Sequence, residues 1–191
     1  MKRNLLTAFL MTIVTTILLG IMYPLVVTGL AQLLFPKQAN GELIEVKGKV
    51  IGSGLLAQSF TTAGYFHPRP SAVNYDASNS NGSQLGPTNR ALVDRVKGDL
   101  TTLQAENPGT PVPIDLVTTS ASGLDPDITL AAADFQIPRV AKARGMSEDT
   151  VAQAVRQHTE ARQLGFLGEP RVNVLELNLA LDKLPFKQAS R

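Results

Sequence analysis

The sequence contains no cysteine, so a disulfide framework and a thiolate metal site are both excluded. It contains only two histidines, His67 and His158, and neither stands in the H-E-x-x-H spacing of a hydrolytic zinc site. We therefore predict no metal site. The absence of cysteine fits any compartment.

The motifs that usually bind nucleotide phosphates or carry a serine nucleophile are also missing. Neither a G-x-G-x-x-G nor a Walker A pattern occurs, so no standard phosphate cradle is predicted. Ser120 and Ser122 lie in a glycine-containing turn, but the G-x-S-x-G elbow is absent and no base with an orienting acid can be assigned. We predict no catalytic residue. A membrane-anchored extracytoplasmic hydrolase, or an independent binding module, stays open as the alternative.

The longest uncharged stretch follows Lys2 and Arg3 and runs for 33 residues, from Asn4 to Pro36. About 20 apolar residues span the hydrocarbon core of a bilayer as a helix. A cleaved signal peptide is the competing interpretation, but its apolar region is only about 7–15 residues long. The sequence therefore predicts a single transmembrane helix within residues 1–36, embedded in the lipid bilayer.

The orientation of this helix follows from the basic residues at its ends. Lys2, Arg3 and the terminal amine precede it, whereas Lys37 alone follows closely. Basic residues near a membrane helix favour the cytoplasmic side. We predict a single-pass protein with a cytoplasmic N-terminus and residues 37–191 on the outer face.

Residues 37–191 have the length of one domain with a real core. After the two basic residues at the start, 16 Lys and Arg remain against 16 Asp and Glu, so this part is formally neutral and carries no nucleic-acid signature.

Apolar patterning and turn residues predict an α+β domain. The predicted elements are two strands within 43–51, a long loop over 74–89, helices over 91–106 and 129–144, a helix from 147 to the glycines at 165 and 168, and short strands at 116–117 and 172–181. Pro138 is expected to kink or interrupt its helix, and residues 172–181 could also form a helix.

Charge is unevenly distributed within this domain. Residues 98–138 contain no Lys or Arg but six acids, whereas residues 139–171 carry six basic side chains against four acids. Such a pattern is compatible with an ordinary solvated surface whose charges are paired locally. Alternatively, an acidic face attracts cations, because a surface of one sign raises the local counter-ion concentration. Asp125 and Asp127 are the candidates for this cation attraction.

The apolar helix carries small residues every four positions, and these are Ala8, Thr12, Thr16 and Gly20, with Pro24 and Thr28 continuing the series. Small residues allow a second helix to approach closely, and threonine hydroxyls can donate across such a contact. The sequence thus predicts a helix that packs against another membrane protein. Coincidence in a threonine-rich span is the alternative.

Several uncommon motifs occur in order along almost the whole chain. They are Tyr23-Pro24, Gly52-Ser53-x-Leu55 with Gln58 and Phe60, Tyr65-Phe66-x-x-Arg69-Pro70-Ser71-Ala72, Leu85-Gly86-Pro87-Thr88-Asn89, Ser120-Ala121-Ser122-Gly123-Leu124-Asp125-Pro126, Arg139-Val140-Ala141-x-Ala143-Arg144-Gly145 and Asn173-Val174-Leu175-x-Leu177-Asn178-Leu179-Ala180-Leu181-Asp182. On these motifs the chain closely resembles the KdpC family, the small subunit of the bacterial Kdp potassium-transporting P-type ATPase.

The resemblance implies a complex with a channel-like potassium-binding subunit, a P-type pump subunit that hydrolyses ATP, and a very small membrane peptide. It implies a non-catalytic subunit that assembles with these partners in the bacterial inner membrane. The family is also described as a catalytic chaperone that raises the ATP affinity of the pump subunit through a transient ternary complex. No tightly bound cofactor is expected, and the residues that would contact ATP are unknown. An outer-face domain could affect cytoplasmic ATP binding only by shifting a conformational equilibrium, so we expect a structural and cation-gathering role.

Overall fold

The computed structural model describes residues 1–184 and divides them into two compact units, Met1–Ile51 and a second unit that begins at Gly52. The first unit is dominated by an apolar helix, and the second combines helices with a small sheet. The predicted fold class, an α+β domain behind a single N-terminal apolar helix, is therefore confirmed. Residues 185–191 of the predicted domain lie outside the described residues.

The apolar helix runs from Lys2 to Leu34 and has the length and hydropathy needed to cross a membrane. It consists of α1 (Lys2–Thr15), a π-helical segment (Thr16–Met22) and α2 (Tyr23–Leu34). At 1.5 Å per residue it is about 50 Å long, which exceeds the hydrocarbon core of about 30 Å.

Pro24 gives a physical reason for the π-helical segment. In an α-helix its ring would collide with the carbonyl of Gly20, and it has no N–H to donate to that carbonyl. The backbone N–H of Tyr23 instead donates to the carbonyl of Leu18, five residues back. This wider turn separates the Gly20 carbonyl from the proline ring, so the helix continues through the proline.

After the apolar helix come α3 (Pro36–Ala39) and β1 (Leu43–Val46), and β1 pairs with β2 (Lys49–Ser53). The turn residues between these strands have positive φ values, 52° at Lys47 and 75° at Gly48. Two consecutive positive φ values form the turn that matches the twist of a hairpin. The predicted pair of strands around Lys47-Gly48 is confirmed.

Between residues 54 and 184, the second unit contains four helices and three short strands. They are α4 (Arg90–Glu106), β3 (Asp127–Thr129), α5 (Leu130–Arg144), α6 (Glu148–Gln157), β4 (Thr159–Glu160), β5 (Arg171–Asn173) and α7 (Val174–Asp182), with a 3₁₀ turn at Ile114–Leu116. The sheet has the order β3-β5-β4 and is antiparallel, so Ile128 and Thr159 both lie opposite Val172.

Side-chain caps fix where these helices begin. The side-chain oxygens of Asn89, Thr129, Ser147 and Asn173 each accept a backbone N–H from the first turn of the following helix. Gly145 ends α5 in the left-handed conformation, with φ of 63°. The predicted helices over 91–106 and 129–144 and the predicted helix start at 147 are confirmed to within one residue.

The core of the second unit lies between α5, α6, α7 and the sheet. Its fully buried members come from all of these elements and include Ile128, Ala132, Val140, Val151, Val155, Val172, Leu177 and Leu181. Phe66, from a loop without regular structure, is also completely buried among them. Burial of these side chains is the main source of stability of the unit.

Three predicted elements are wrong. The helix that begins after Ser147 ends at Gln157 and not at the later glycines, because Thr159 pairs with the sheet. Leu116 belongs to a 3₁₀ turn and not to a strand, since its backbone N–H donates to the Pro113 carbonyl at 3.2 Å and the Thr118 hydroxyl donates to the Ile114 carbonyl. Residues 174–182 form a helix, and only Arg171–Asn173 form a strand.

The physical reason for the helix at 174–182 is its burial pattern. Its buried residues are Val174, Leu175, Leu177, Asn178 and Leu181, which is a helical face and not an alternation.

The helix α5 runs without interruption through Pro138. The proline leaves the carbonyl of Asp134 without its usual donor, and Asp134 lies on the exposed side of the helix, where water can satisfy it.

Candidate functional site

The loop at residues 61–70 is held in place by two buried amide side chains. Asn178 on α7 accepts the backbone N–H of Phe66 at 2.8 Å and donates to the carbonyl of the same residue at 3.0 Å. Gln136 on α5 pairs in the same way with His67, at 2.8 and 3.1 Å. We call Gln136 and Asn178 the amide clamp. Because it imitates strand pairing, it satisfies buried backbone groups of a loop that has no regular structure.

Two arginines of α5 fix the preceding residues of the same loop. Arg139 donates to the carbonyls of Ala63 and Tyr65 at 2.8 and 2.9 Å, and its Nε lies 3.1 Å from Glu106. Arg144 is 1% exposed, donates to the carbonyl of Gly64 and pairs with Asp182 at 2.9 Å. Its guanidinium also lies 4.8 Å from the centre of the Tyr65 ring.

Arg69 follows this loop and leads into an open cleft. Its Nη1 lies 3.1 Å from Asp125 Oδ2, and its Nη2 donates to the Thr119 carbonyl at 3.4 Å. The cleft has a volume of about 570 Å³, and we call it the Arg69 cleft. Its charged lining consists of Arg69, Asp115, Asp125, Asp127, Glu169 and Arg171.

The carboxylates of the Arg69 cleft have partners of their own. Asp115 is buried and accepts the backbone N–H of Thr129 at 2.8 Å. Asp127 lies 3.1 Å from Arg171, which also pairs with Glu160 at 2.9 Å. The three aspartates of the cleft are therefore bonded to the protein and do not form a bare acidic wall.

Two titratable groups of this region are shifted. Burial raises the pKa of the Asp127 carboxyl, and the nearby Asp125 and Glu160 add to the rise, while Arg171 opposes it. Burial also lowers the pKa of His67, helped by the positive charge of Arg139. Both shifts favour the uncharged form, as expected for half-buried groups.

The long polar loop at 71–89 is attached to the turn at 120–123. The Ser71 hydroxyl donates to the Gly123 carbonyl at 2.6 Å, and the backbone N–H of Asn81 donates to the Ser122 carbonyl at 2.9 Å. Gly123 has a φ of 69°, and a Cβ there would lie 2.7 Å from the Asn81 carbonyl oxygen. Glycine is therefore required at this position by conformation and by space.

The structure brings the predicted pair Asp125 and Asp127 together in the Arg69 cleft. Both are neutralised by arginines from other segments, which sequence spacing did not reveal. Pairing extends to other acids of residues 98–138, since Asp99 pairs with Arg95 and Glu106 with Arg139. Their role in attracting cations stays a prediction.

The predicted helix-contact residues Ala8, Thr12, Thr16 and Gly20 all lie in the first unit, on the apolar helix. The Thr12 hydroxyl donates to the carbonyl of Ala8 at 2.9 Å, within its own helix. Thr16 and Gly20 lie in the π-helical segment, where a Cβ on Gly20 would be in ordinary contact with Thr16 at 3.8 Å. Their contact with a second helix stays a prediction.

The candidate nucleophiles of the alternative hydrolase lie in the turn that holds the 71–89 loop. Ser120 is buried, and the Ser122 hydroxyl accepts the backbone N–H of Leu124 at 3.1 Å. The ring nitrogens of His67 and His158 contact the carbonyls of Thr62 and Ala154, respectively. Within residues 1–184 no group of three His, Cys, Asp or Glu side chains is arranged to hold a metal ion.

Sequence reasoning missed the amide clamp and the buried Arg144. A signal was available, because Gln136, Arg144 and Asn178 interrupt otherwise apolar helical faces, at positions where a polar residue is buried only when it has partners. The partners themselves come from a loop about 70 to 112 residues away in sequence, which a pattern cannot identify.

Comparison with known proteins gives the family. The family model described as KdpC, the c chain of K⁺-transporting ATPase, matches residues 5–183. The chain belongs to the KdpC family. Proteins named potassium-transporting ATPase KdpC subunit are 61% identical in Koribacter versatilis, with 95% of both chains covered, and 56% identical in Rhodopseudomonas palustris, with 95% of this chain and 98% of the relative covered. A Bradyrhizobium diazoefficiens relative of the same name is 54% identical over 98% of this chain. The predicted family is confirmed.

Proposed function

We propose that this KdpC-family chain is a non-catalytic subunit of a high-affinity, ATP-driven potassium uptake system. It assembles with and stabilises a channel-like potassium-binding subunit and a P-type pump subunit, together with a small membrane peptide. The observation that carries this proposal is the family match over residues 5–183, which includes the apolar helix as well as the domain.

The arrangement of the second unit supports an accessory role over the alternative hydrolase. Two polar residues of the family motifs, Arg144 and Asn178, are buried and bonded to the protein's own backbone. The Ser122 hydroxyl is engaged with backbone, and both histidine rings contact carbonyls. A hydrolase of this kind would act alone and would lose activity on Ser120→Ala or Ser122→Ala, which is the result that would favour it.

The basic residues at the start of the chain support a cytoplasmic N-terminus in the inner membrane and an outer-face domain. A reporter fused to the C-terminus tests this orientation. An alkaline phosphatase fusion is expected to be active, because that enzyme works only outside the cytoplasm, and a fluorescent protein that matures only in the cytoplasm is expected to stay dark. The reverse pattern would place the domain inside.

For the attributed effect on ATP affinity, we propose an indirect mechanism. On the outer face the domain cannot share a cytoplasmic ATP site, so it must contact its partners differently in two conformational states of the pump. Crosslinking of a photoreactive ATP analogue to this chain in an intact, oriented complex would contradict this. Labelling of the pump subunit alone is the expected result.

Assembly through the apolar helix is tested by a pair of matched variants. Gly20→Leu is expected to reduce co-purification of the polytopic partner, because a bulky side chain prevents close helix approach. Gly29→Leu is the control, since Gly29 lies outside the four-residue series of small residues, in α2, and a Cβ there meets nothing within 4 Å. Equal loss in both variants would contradict a specific contact at Gly20.

Cation attraction is tested at the Arg69 cleft. Neutralising both carboxylates, Asp125→Asn with Asp127→Asn, is expected to weaken apparent potassium affinity by a few-fold at low salt. The effect is limited because each carboxylate already has an arginine partner. The control is the double variant Asp94→Asn with Glu148→Gln, which makes the same charge change at exposed helix positions. If potassium affinity is unchanged in both double variants, Asp125 and Asp127 have a structural role only.

A further inference from the structure

The loop between β4 and β5 exposes three large apolar side chains. The exposed fraction is 83% for Leu164, 69% for Phe166 and 47% for Leu167. We call these three side chains the hairpin tip. A single exposed apolar residue is ordinary, but three within four positions form a patch, and such patches mark interaction sites.

The hairpin tip has a fixed shape. The backbones of Gln163 and Leu167 exchange both hydrogen bonds, each at 2.9 Å, and close a tight turn. Below this turn, Arg162 pairs with Glu169 at 2.6 Å across the stem. A turn closed twice by backbone and once by charge presents its side chains in one geometry, which suits a complementary surface.

Leu164 occupies a position where the backbone disfavours it. Its φ is 52° and that of the following Gly165 is 82°. Glycine, asparagine and aspartate adopt this left-handed conformation readily, whereas leucine does so rarely. Local structure therefore gives no reason for a leucine here, and a contact outside the domain does.

We propose that the hairpin tip docks into an uncharged apolar socket on the extramembrane surface of a protein subunit held in the same membrane. This inference rests on the proposed function and names the surface through which the domain reaches its partner.

The charges beside the hairpin tip support a protein socket over a lipid surface. Both arginines beside the tip are paired, Arg162 with Glu169 and Arg171 with Glu160, whereas binding to anionic lipid relies on available basic residues.

The size of the tip also fits a partner in the same membrane. Three side chains form too small an interface to hold two freely diffusing proteins together. A shared membrane anchor makes the second contact intramolecular, with an effective concentration on the order of mM. A small, rigid apolar contact is sufficient under those conditions.

The absence of cysteine provides a direct test, because Gln163→Cys creates a unique attachment point for an environment-sensitive fluorophore beside the hairpin tip and leaves its three apolar side chains in place. The full-length labelled chain is measured alone in vesicles that contain anionic lipid, and again in the assembled complex. We expect a blue shift and protection from a water-soluble quencher only in the complex. A blue shift in vesicles alone, with quenching by brominated lipid, would overturn the protein socket in favour of lipid. Full solvent exposure in both samples would overturn docking altogether.

A second test measures assembly. The double variant Leu164→Asn with Phe166→Ser is expected to retain roughly tenfold less partner subunit in a pull-down, as for loss of a buried apolar anchor. Its melting should match the wild type, since asparagine suits the left-handed position. Val93→Ser removes another exposed apolar group, on α4, and should retain the partner. If the double variant retains as much partner as the wild type, the docking inference fails while the proposed function stands. If the wild type itself retains none, the proposed function fails.

Discussion

Removing the Asn178 side chain isolates the contribution of the amide clamp. Asn178 is 1% exposed, and its partner Phe66 is completely buried. The variant Asn178→Ala leaves the N–H and the carbonyl of Phe66 without their partners. We expect a large loss of stability, because buried backbone groups without partners are costly.

The magnitude follows from the two hydrogen bonds. Each unsatisfied buried group costs about 1–3 kcal/mol, so two cost about 4 kcal/mol. Alanine is a better helix former than asparagine, which returns up to about 0.7 kcal/mol on α7. The expected loss in free energy of unfolding is therefore about 3 kcal/mol. At roughly 3 °C per kcal/mol for a domain of this size, the melting temperature should fall by about 10 °C.

The assay is thermal and urea unfolding of the full-length chain in detergent, followed by circular dichroism, with amide hydrogen exchange of residues 61–70. Faster exchange in this loop is expected under native conditions, since α7 no longer holds it. Asn178→Leu fills the volume but makes no hydrogen bond, so a comparable loss there identifies the hydrogen bonds and not the cavity. Asn79→Ala is the control on an exposed asparagine and should change stability by less than about 0.5 kcal/mol. A loss below about 1 kcal/mol in Asn178→Ala would refute the reasoning.

Three further predictions concern the same unit. Gly123→Ala should cost about 2–3 kcal/mol, because strain at positive φ adds to the close approach of the Asn81 carbonyl, whereas Gly109→Ala has open space and should cost only about 1 kcal/mol in urea unfolding. Arg144→Met should lose about 3 kcal/mol by the same assay, the lower end for a broken buried pair, since its partner is partly exposed. Because the pKa of His67 is below its ordinary value of 6.5 in the fold, the unfolded chain binds the proton first, so stability should fall as pH drops through about 6.5. His67→Gln should remove that part of the pH dependence in unfolding measured between pH 5 and 8.

Local signals in the sequence predicted much of the fold. The caps at Asn89, Thr129 and Ser147 depend on one side chain and the next turn, so they can be read from neighbours along the chain. The structure of residues 174–182 was harder to predict. Their leucines at alternate positions fit a strand, but they also fit a helix whose buried face includes Asn178. Tertiary contact decided between the two periods, and a single sequence does not contain that contact.

The candidate site was less predictable because its charges are paired across long separations. Asp125 and Asp127 were visible as acids in a segment without basic residues, but their partners Arg69 and Arg171 lie about 45 to 55 positions away. Sequence spacing alone therefore suggested an acidic face where the structure has carboxylates paired with arginines. The same long separation hides the clamp between α7 and the 61–70 loop.

The direction in which side chains point separates residues that maintain the domain from residues available to partners. Arg144 and Asn178 belong to the motifs on which the family resemblance rests. Both side chains are buried and form hydrogen bonds with backbone groups of the same domain. These two residues therefore maintain the shape of a loop-rich domain. Contact with other subunits needs exposed groups on a rigid support, and Leu164 and Phe166 on their closed turn meet that requirement. Substitutions in the first group should act through stability, and substitutions in the second group should act through assembly at unchanged stability.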